Sequence, residues 1–206
     1  MRKLLVFVFA LLTTNCIRSQ IIIKESDLCP NKNFIEMKNG HECVDLGLPS
    51  GIKWSTCNVG ASSPSDFGEY YAWGEIQPKS DYSQKNYMYH DNQLKNIFDA
   101  VRLLWHGRWR MPTTNEVDEL QKNCKWTQAV MNGHHGVLIT GKNGNSIFLP
   151  AAGVFIEKEK ILVETEGRYW TSSAIDNGMA LYFKTNDAEK EHYFRSCGLS
   201  IRPVTK

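Results

Sequence analysis

Eleven residues, Asn143-Gly144-Asn145-Ser146-Ile147-Phe148-Leu149-Pro150-Ala151-Ala152-Gly153, constrain the fold more than any other stretch. Asn143-Gly144 predicts a type I′ hairpin turn, because both central positions of that turn need positive φ and these two residues tolerate it. The flanking runs 136–140 and 146–149 are apolar, too short for helices, and rich in β-branched and aromatic residues. They predict two paired, buried strands. Pro150 removes a backbone donor and ends the ladder, and Ala151-Ala152-Gly153 leaves a backbone that another segment can approach closely. The expectation is a core hairpin with a crowded exit.

The first nineteen of the 206 residues have the form of an export signal: Arg2-Lys3, an apolar run from Leu4 to Leu12, then a short polar segment to Ser19. Cleavage after Ser19 would leave Gln20 first. Cys16 offers a competing lipid-anchor reading, although Thr13-Thr14-Asn15 is a poor lipobox. No later stretch approaches the roughly 20 apolar residues of a transmembrane helix. The leader holds three of the 24 basic residues (Arg2, Lys3, Arg18) and no acid, so the remainder carries 21 basic against 22 acidic residues. A net charge near −1 gives no electrostatic case for nucleic acid or an anionic membrane as partner.

Export makes the five cysteines beyond the leader candidates for disulfides rather than metal ligands. Cys57 and Cys124 each sit beside a strongly patterned element, and Cys29 and Cys43 flank a short polar loop. These are the pairings expected, with Cys197 left over, although spacing alone does not fix connectivity.

Residues 20–40 carry one apolar triplet, Ile21-Ile22-Ile23, and read as a leader or edge strand, with the domain proper at 41–206. Leu94, Ile97, Phe98, Val101, Leu104 and Trp105 recur at helical spacing between an Asp91 N-cap and a Gly107 stop. Thr113 and Glu116 form a capping box opening a second helix, with Val117, Leu120 and Cys124 on one face. From Trp126 onward the chain reads as successive strands, 136–140, 146–149, 153–156, 161–164, 169–172, 179–184, 192–195 and 199–204. Two helices and a strand-rich second half predict an α+β domain on a twisted, mainly antiparallel sheet.

Eight blocks carry a resemblance: Val44–Gly51, Trp54–Ala61, Tyr71–Glu75, Gly107–Thr113, Asn123–Trp126, Asn143–Gly153, Tyr169–Ser173 and Gly198–Val204. In this order they resemble the Fibrobacter succinogenes major paralogous domain family, found in exported proteins of Bacteroidetes and related bacteria. His106 departs from it, standing where that family commonly has a second Gly. The family is similar to the C-type lectin-like fold, which also includes formylglycine-generating enzymes and variable ligand-binding proteins. The resemblance implies an exported, secreted or cell-surface binding module with no established chemistry.

The chemistry-bearing residues agree with a binder. His134 and His135 are adjacent and would face opposite sides of a strand, so no metal is expected. Glu-Pro-Asn, Gln-Pro-Asp and Trp-Asn-Asp, the marks of calcium-dependent sugar binding, are absent, and no motif implies a cofactor. A formylglycine-type oxidase needs a reactive cysteine pair late in the domain, where only Cys197 stands; a structural subunit of a surface assembly is the other alternative. The expected docking site, for a glycan or protein ligand, is a late rim built from Asp176, Asn177, Tyr182, Asn186, Tyr193 and Arg195. Aromatic bodies beside amide and charged groups suit such surfaces. If those residues prove to be core, the next place to look is the tyrosine-rich loop from Tyr82 to Tyr89.

Overall fold

The structure, a computed structural model, describes residues 20–29, 35–175, 179–185 and 190–206. The expected leader and Cys16 lie outside them. Thirteen strands and two α-helices among the described residues make an α+β arrangement with the strands in four small sheets. No helix among the described residues is long and apolar enough to cross a membrane.

The first sheet contains β1 (Ile21–Ile23), β5 (Lys125–Met131), β6 (His134–Thr140) and β7 (Ser146–Pro150), in that order. β1 runs parallel to β5 and the other pairs are antiparallel. The second contains β2 (Ile35–Lys38), β3 (His41–Val44), β4 (Lys53–Ser55) and β13 (Val204–Thr205), with β4 between β3 and β13. β10 (Arg168–Ile175), β11 (Met179–Lys184) and β12 (Lys190–Phe194) form an antiparallel third sheet. β8 (Val154–Ile156) and β9 (Glu159–Ile161) make a two-stranded ribbon. Within 20–40, β1 and β2 each pair at the edge of a sheet.

The central hairpin forms, but its turn differs from the one expected. Thr140 pairs with Ser146, the Gly144 amide donates to the Gly141 carbonyl at 3.0 Å, and only Gly144 of the Asn-Gly pair has positive φ, +85°. Asn143 is diverted because its side-chain amide, like that of Asn145, donates to the Asp45 carbonyl at 2.9 Å, pinning the loop to the exit of β3. The type I′ pattern sits instead at Asn132-Gly133 (φ +51° and +85°), joining β5 to β6, and at Asn39-Gly40 (φ +47° and +79°), joining β2 to β3. The crowded exit is as expected: a Cβ on Gly153 would strike the Ile161 carbonyl and the Val163 amide.

Helix α2 (Thr114–Asn123) opens with the expected capping box. The Glu116 amide donates to Thr113 Oγ1 at 3.3 Å and the Thr113 amide to Glu116 Oε2 at 2.8 Å. The earlier helix is shorter than its periodicity implies. A 3₁₀ turn at Asn96–Phe98 precedes α1 (Ala100–Trp105), whose N-cap is Asp99 rather than Asp91. Asp99 is the better cap because its carboxylate accepts from Val101 at 3.0 Å and also from the Met111 amide at 3.0 Å, joining helix start to the following segment.

Three apolar clusters fill the interior, the smallest made of Ile23, Leu28, Ala129, Met131 and Phe148. Of the larger two, one gathers Trp73, Trp105, Trp109, Trp170 and Tyr82, and the other Trp54, Val117, Leu120, Ile147 and Leu149. Burying each such side chain contributes about 1.5–3 kcal/mol before chain entropy is set against it. Arg202, fully buried, donates to Asn58 Oδ1 and the Phe148 carbonyl at 2.8 Å each, and to the Ser55 carbonyl at 3.1 Å.

Candidate functional site

The late rim does not present the side chains expected of it. Tyr182, on β11, is only 1% exposed; its hydroxyl donates to Glu191 Oε2 at 2.7 Å, and its ring packs edge-on against Trp170 and Tyr193. Arg195 is 2% exposed. Tyr193, on β12, is half-buried and stacks under the Arg168 guanidinium at 5.0 Å. Asp176, Asn177 and Asn186 lie outside the described residues. Trp170 on β10, Tyr182 on β11 and Tyr193 on β12 pack edge-on in sequence across the sheet, which takes Tyr182 out of reach of solvent.

Arg195 nevertheless points to a site. Its guanidinium lies 4.8 Å from the Trp73 ring centre and donates to the Asp91 carbonyl at 2.9 Å and the Ile175 carbonyl at 2.6 Å. The late strands are thereby clamped to the segment that follows the tyrosine-rich loop. On that segment's flank lies an apolar cleft of about 360 Å³, between residues 74–79 and 86–98.

Its walls are built by local packing. Tyr89 lies against Gly74, where a Cβ would collide with the ring, and sits 4.7 Å from Phe98 and 5.7 Å from Trp73 between ring centres. The Lys95 amide donates to the Tyr89 hydroxyl at 3.2 Å. The Tyr87 hydroxyl donates to the Trp73 carbonyl at 2.8 Å. Ile76 and Pro78 complete the apolar lining. One ion pair sits at the edge: Lys79 Nζ is 2.6 Å from Glu75 Oε2, while Glu75 Oε1 accepts the Met88 amide at 2.9 Å. Burial pushes the Tyr82 hydroxyl beside this cleft up to about 12, and that of Tyr87 higher, so both rings stay neutral.

Two large apolar side chains stand open here, Met88 at 79% exposure and Ile97, next to Phe98, at 68%. An open Met beside an aromatic-walled hollow adapts to the shape of an incoming apolar group. The described lining offers no serine, cysteine or histidine to act as nucleophile or base. A larger hollow, about 880 Å³ between residues 81–85 and 156–161, is walled mainly by charged turn residues and lacks an aromatic wall. The cleft was not the first site expected because most of its lining falls in 74–91, where the sequence shows no periodicity. The signal available was the density of tyrosines in an aperiodic segment, which must be packed against something.

The cysteines also depart from expectation. Cys29, Cys43, Cys57, Cys124 and Cys197 all carry free thiols, and neither the Cys57–Cys124 nor the Cys29–Cys43 bridge is present. Cys29 Sγ is directed at the Ser146 carbonyl and Cys43 Sγ at the Glu36 carbonyl, in different apolar clusters. Cys57 lies close to Arg202, whereas Cys124 caps α2 near Glu119 and Lys142. Flanking a loop or an element did not bring either pair together. Cys197 is buried, which pushes its thiol up to about 11. No three of the His, Cys, Asp and Glu side chains among the described residues are grouped to hold a metal ion.

Comparison with family models, with curated proteins and with solved structures gave no match.

Proposed function

We propose that the protein is an exported, non-enzymatic binding module of C-type lectin-like architecture, of the kind found in the Fibrobacter succinogenes major paralogous domain family. It takes an apolar side chain of a protein ligand into the cleft between residues 74–79 and 86–98. The observation that carries this reading is the cleft itself, walled by Tyr89 and Phe98 and flanked by the open side chains of Met88 and Ile97. Such a lining suits a leucine or aromatic anchor better than a sugar, whose hydroxyls would lose water without gaining partners. The buried, high-pKa Cys197 thiol favours a binder over a formylglycine-type oxidase, which needs an accessible thiolate. A peptide array and a glycan array probed with the same protein test the reading. Retention on peptides with an apolar anchor, lost in Met88→Glu, is expected. Binding confined to glycans, or untouched by Met88→Glu, sinks it.

A further inference from the structure

Four cationic residues converge on a separate hollow of about 430 Å³, whose described lining is Arg102, Gly107, Arg108, Arg110 and Lys206. Their meeting follows from the backbone. Helix α1 ends here, and His106 and Gly107, with φ of +58° and +62°, reverse the chain. Arg110 then pairs with Val204 in both directions, at 3.1 and 3.0 Å, which brings the end of β13 and Lys206 alongside. Lys38 Nζ donates to the Lys206 main-chain oxygen at 2.6 Å and holds that end in place.

Two of the guanidinium groups are oriented from behind. Arg110 forks onto Glu116, with Nη1 at 2.7 Å from Oε2, and Arg102 Nε lies 3.7 Å from Asp99 Oδ2. Those carboxylates are held in turn by backbone amides, Glu116 by Thr113 and Asp99 by Val101 and Met111. They do not line the hollow. Arg108 and Lys206 are exposed, and neither is paired with a carboxylate among the described residues.

We propose that this hollow binds a tetrahedral oxyanion, a sulfate or phosphate monoester. Glu116 and Asp99 balance Arg110 and Arg102, whereas Arg108 and Lys206 bring two further positive charges to the hollow, and a field focused there raises the local concentration of anions. Guanidinium forks meet oxyanions through paired hydrogen bonds. A tetrahedral group turns three oxygens in different directions and so meets donors from several sides, where the two oxygens of a carboxylate lie in one plane. The site is independent of the apolar cleft.

Calorimetric titration at low ionic strength, where screening is weakest, tests it with inorganic phosphate, inorganic sulfate, glucose 6-phosphate and glucosamine 6-sulfate. Saturable binding of at least one inorganic ion is expected, with one ester tighter and thereby identifying the source. The double variant Arg108→Ala/Lys206→Ala should weaken binding by about tenfold or more, roughly 1.4 kcal/mol. The charge-matched control Lys85→Ala/Lys158→Ala, on the 880 Å³ hollow, should bind like the parent. No saturable binding, an equal loss in the control, or esters no tighter than the bare ions would each overturn the proposal.

Discussion

The guanidinium of Arg195 sits 4.8 Å from the centre of the Trp73 ring while its Nη2 donates to the Ile175 carbonyl at 2.6 Å. A cation at 2% exposure that serves a ring and two main-chain carbonyls is a structural clamp. Truncating it leaves those carbonyls dry, so Arg195→Ala should lower stability by about 2–4 kcal/mol. Arg195→Lys keeps the charge but not the fork and should recover only part of the loss. Urea midpoints decide between these outcomes, and an unchanged midpoint for the alanine variant would return Arg195 to the surface.

Burial works to raise the Glu116 carboxyl, but the Arg110 guanidinium and the Thr113 amide outweigh it and hold it below its ordinary value of 4.5. A depressed folded-state pKa contributes stability that is present above the unfolded value and lost as pH falls through the folded one. Glu116→Gln should therefore be less stable than the parent at pH 7 and should lose less between about pH 5 and 3. Asp99, raised by burial, acts in the opposite sense in both proteins and cancels in the difference. Unfolding midpoints across that range give the comparison, and parallel profiles would remove Glu116 from the account.

Thiol chemistry checks the cysteine assignments. Burial pushes Cys124 and Cys197 up to about 11 and raises Cys29, Cys43 and Cys57 as well. Native protein of residues 20–206 should alkylate slowly at pH 8, because the thiolate is the reactive form. Unfolded without reductant, it should take up label at all five positions. Peptide mass mapping that finds Cys57 joined to Cys124, or Cys29 to Cys43, would contradict the structure.

Two glycines with positive φ should separate strain from collision. Gly133 has φ +85° and open space around its Cα, so Gly133→Ala should cost about 1 kcal/mol. Gly153 has φ +67° and backbone packed where a Cβ would go. Gly153→Ala should cost more than about 3 kcal/mol, or prevent folding, since backbone atoms of 161–163 cannot rotate away. Similar thermal shifts for the two would mean the exit of the central hairpin is looser than described.

Local chemistry was legible in the sequence. The Thr113–Glu116 box needs only four residues, and the strands at 136–140 and 146–149 announce themselves by apolar runs, so both elements stand where expected. What depended on distant partners was not legible. Asn143 gave up its turn conformation to reach Asp45, and Asp99 displaced Asp91 as a cap because Met111 lay within reach. Tyr182 and Arg195 look like surface residues in a turn-rich stretch, and only the positions of Trp170 and Trp73 reveal them as interior. The cleft was half legible: the tyrosines of 82–89 marked a place to search, but its walls come from three segments that share no period.

Arg202 sets the order in which this molecule can be completed. The Phe148 carbonyl acquires its donor 54 residues later in the chain, and the Ser55 carbonyl waits 147. During synthesis both carbonyls stay without this donor until Arg202 has emerged. Carboxypeptidase trimming through Val204 should already strip β13 from Trp54 and Arg110, and trimming that takes Arg202 itself should unlock the centre from within.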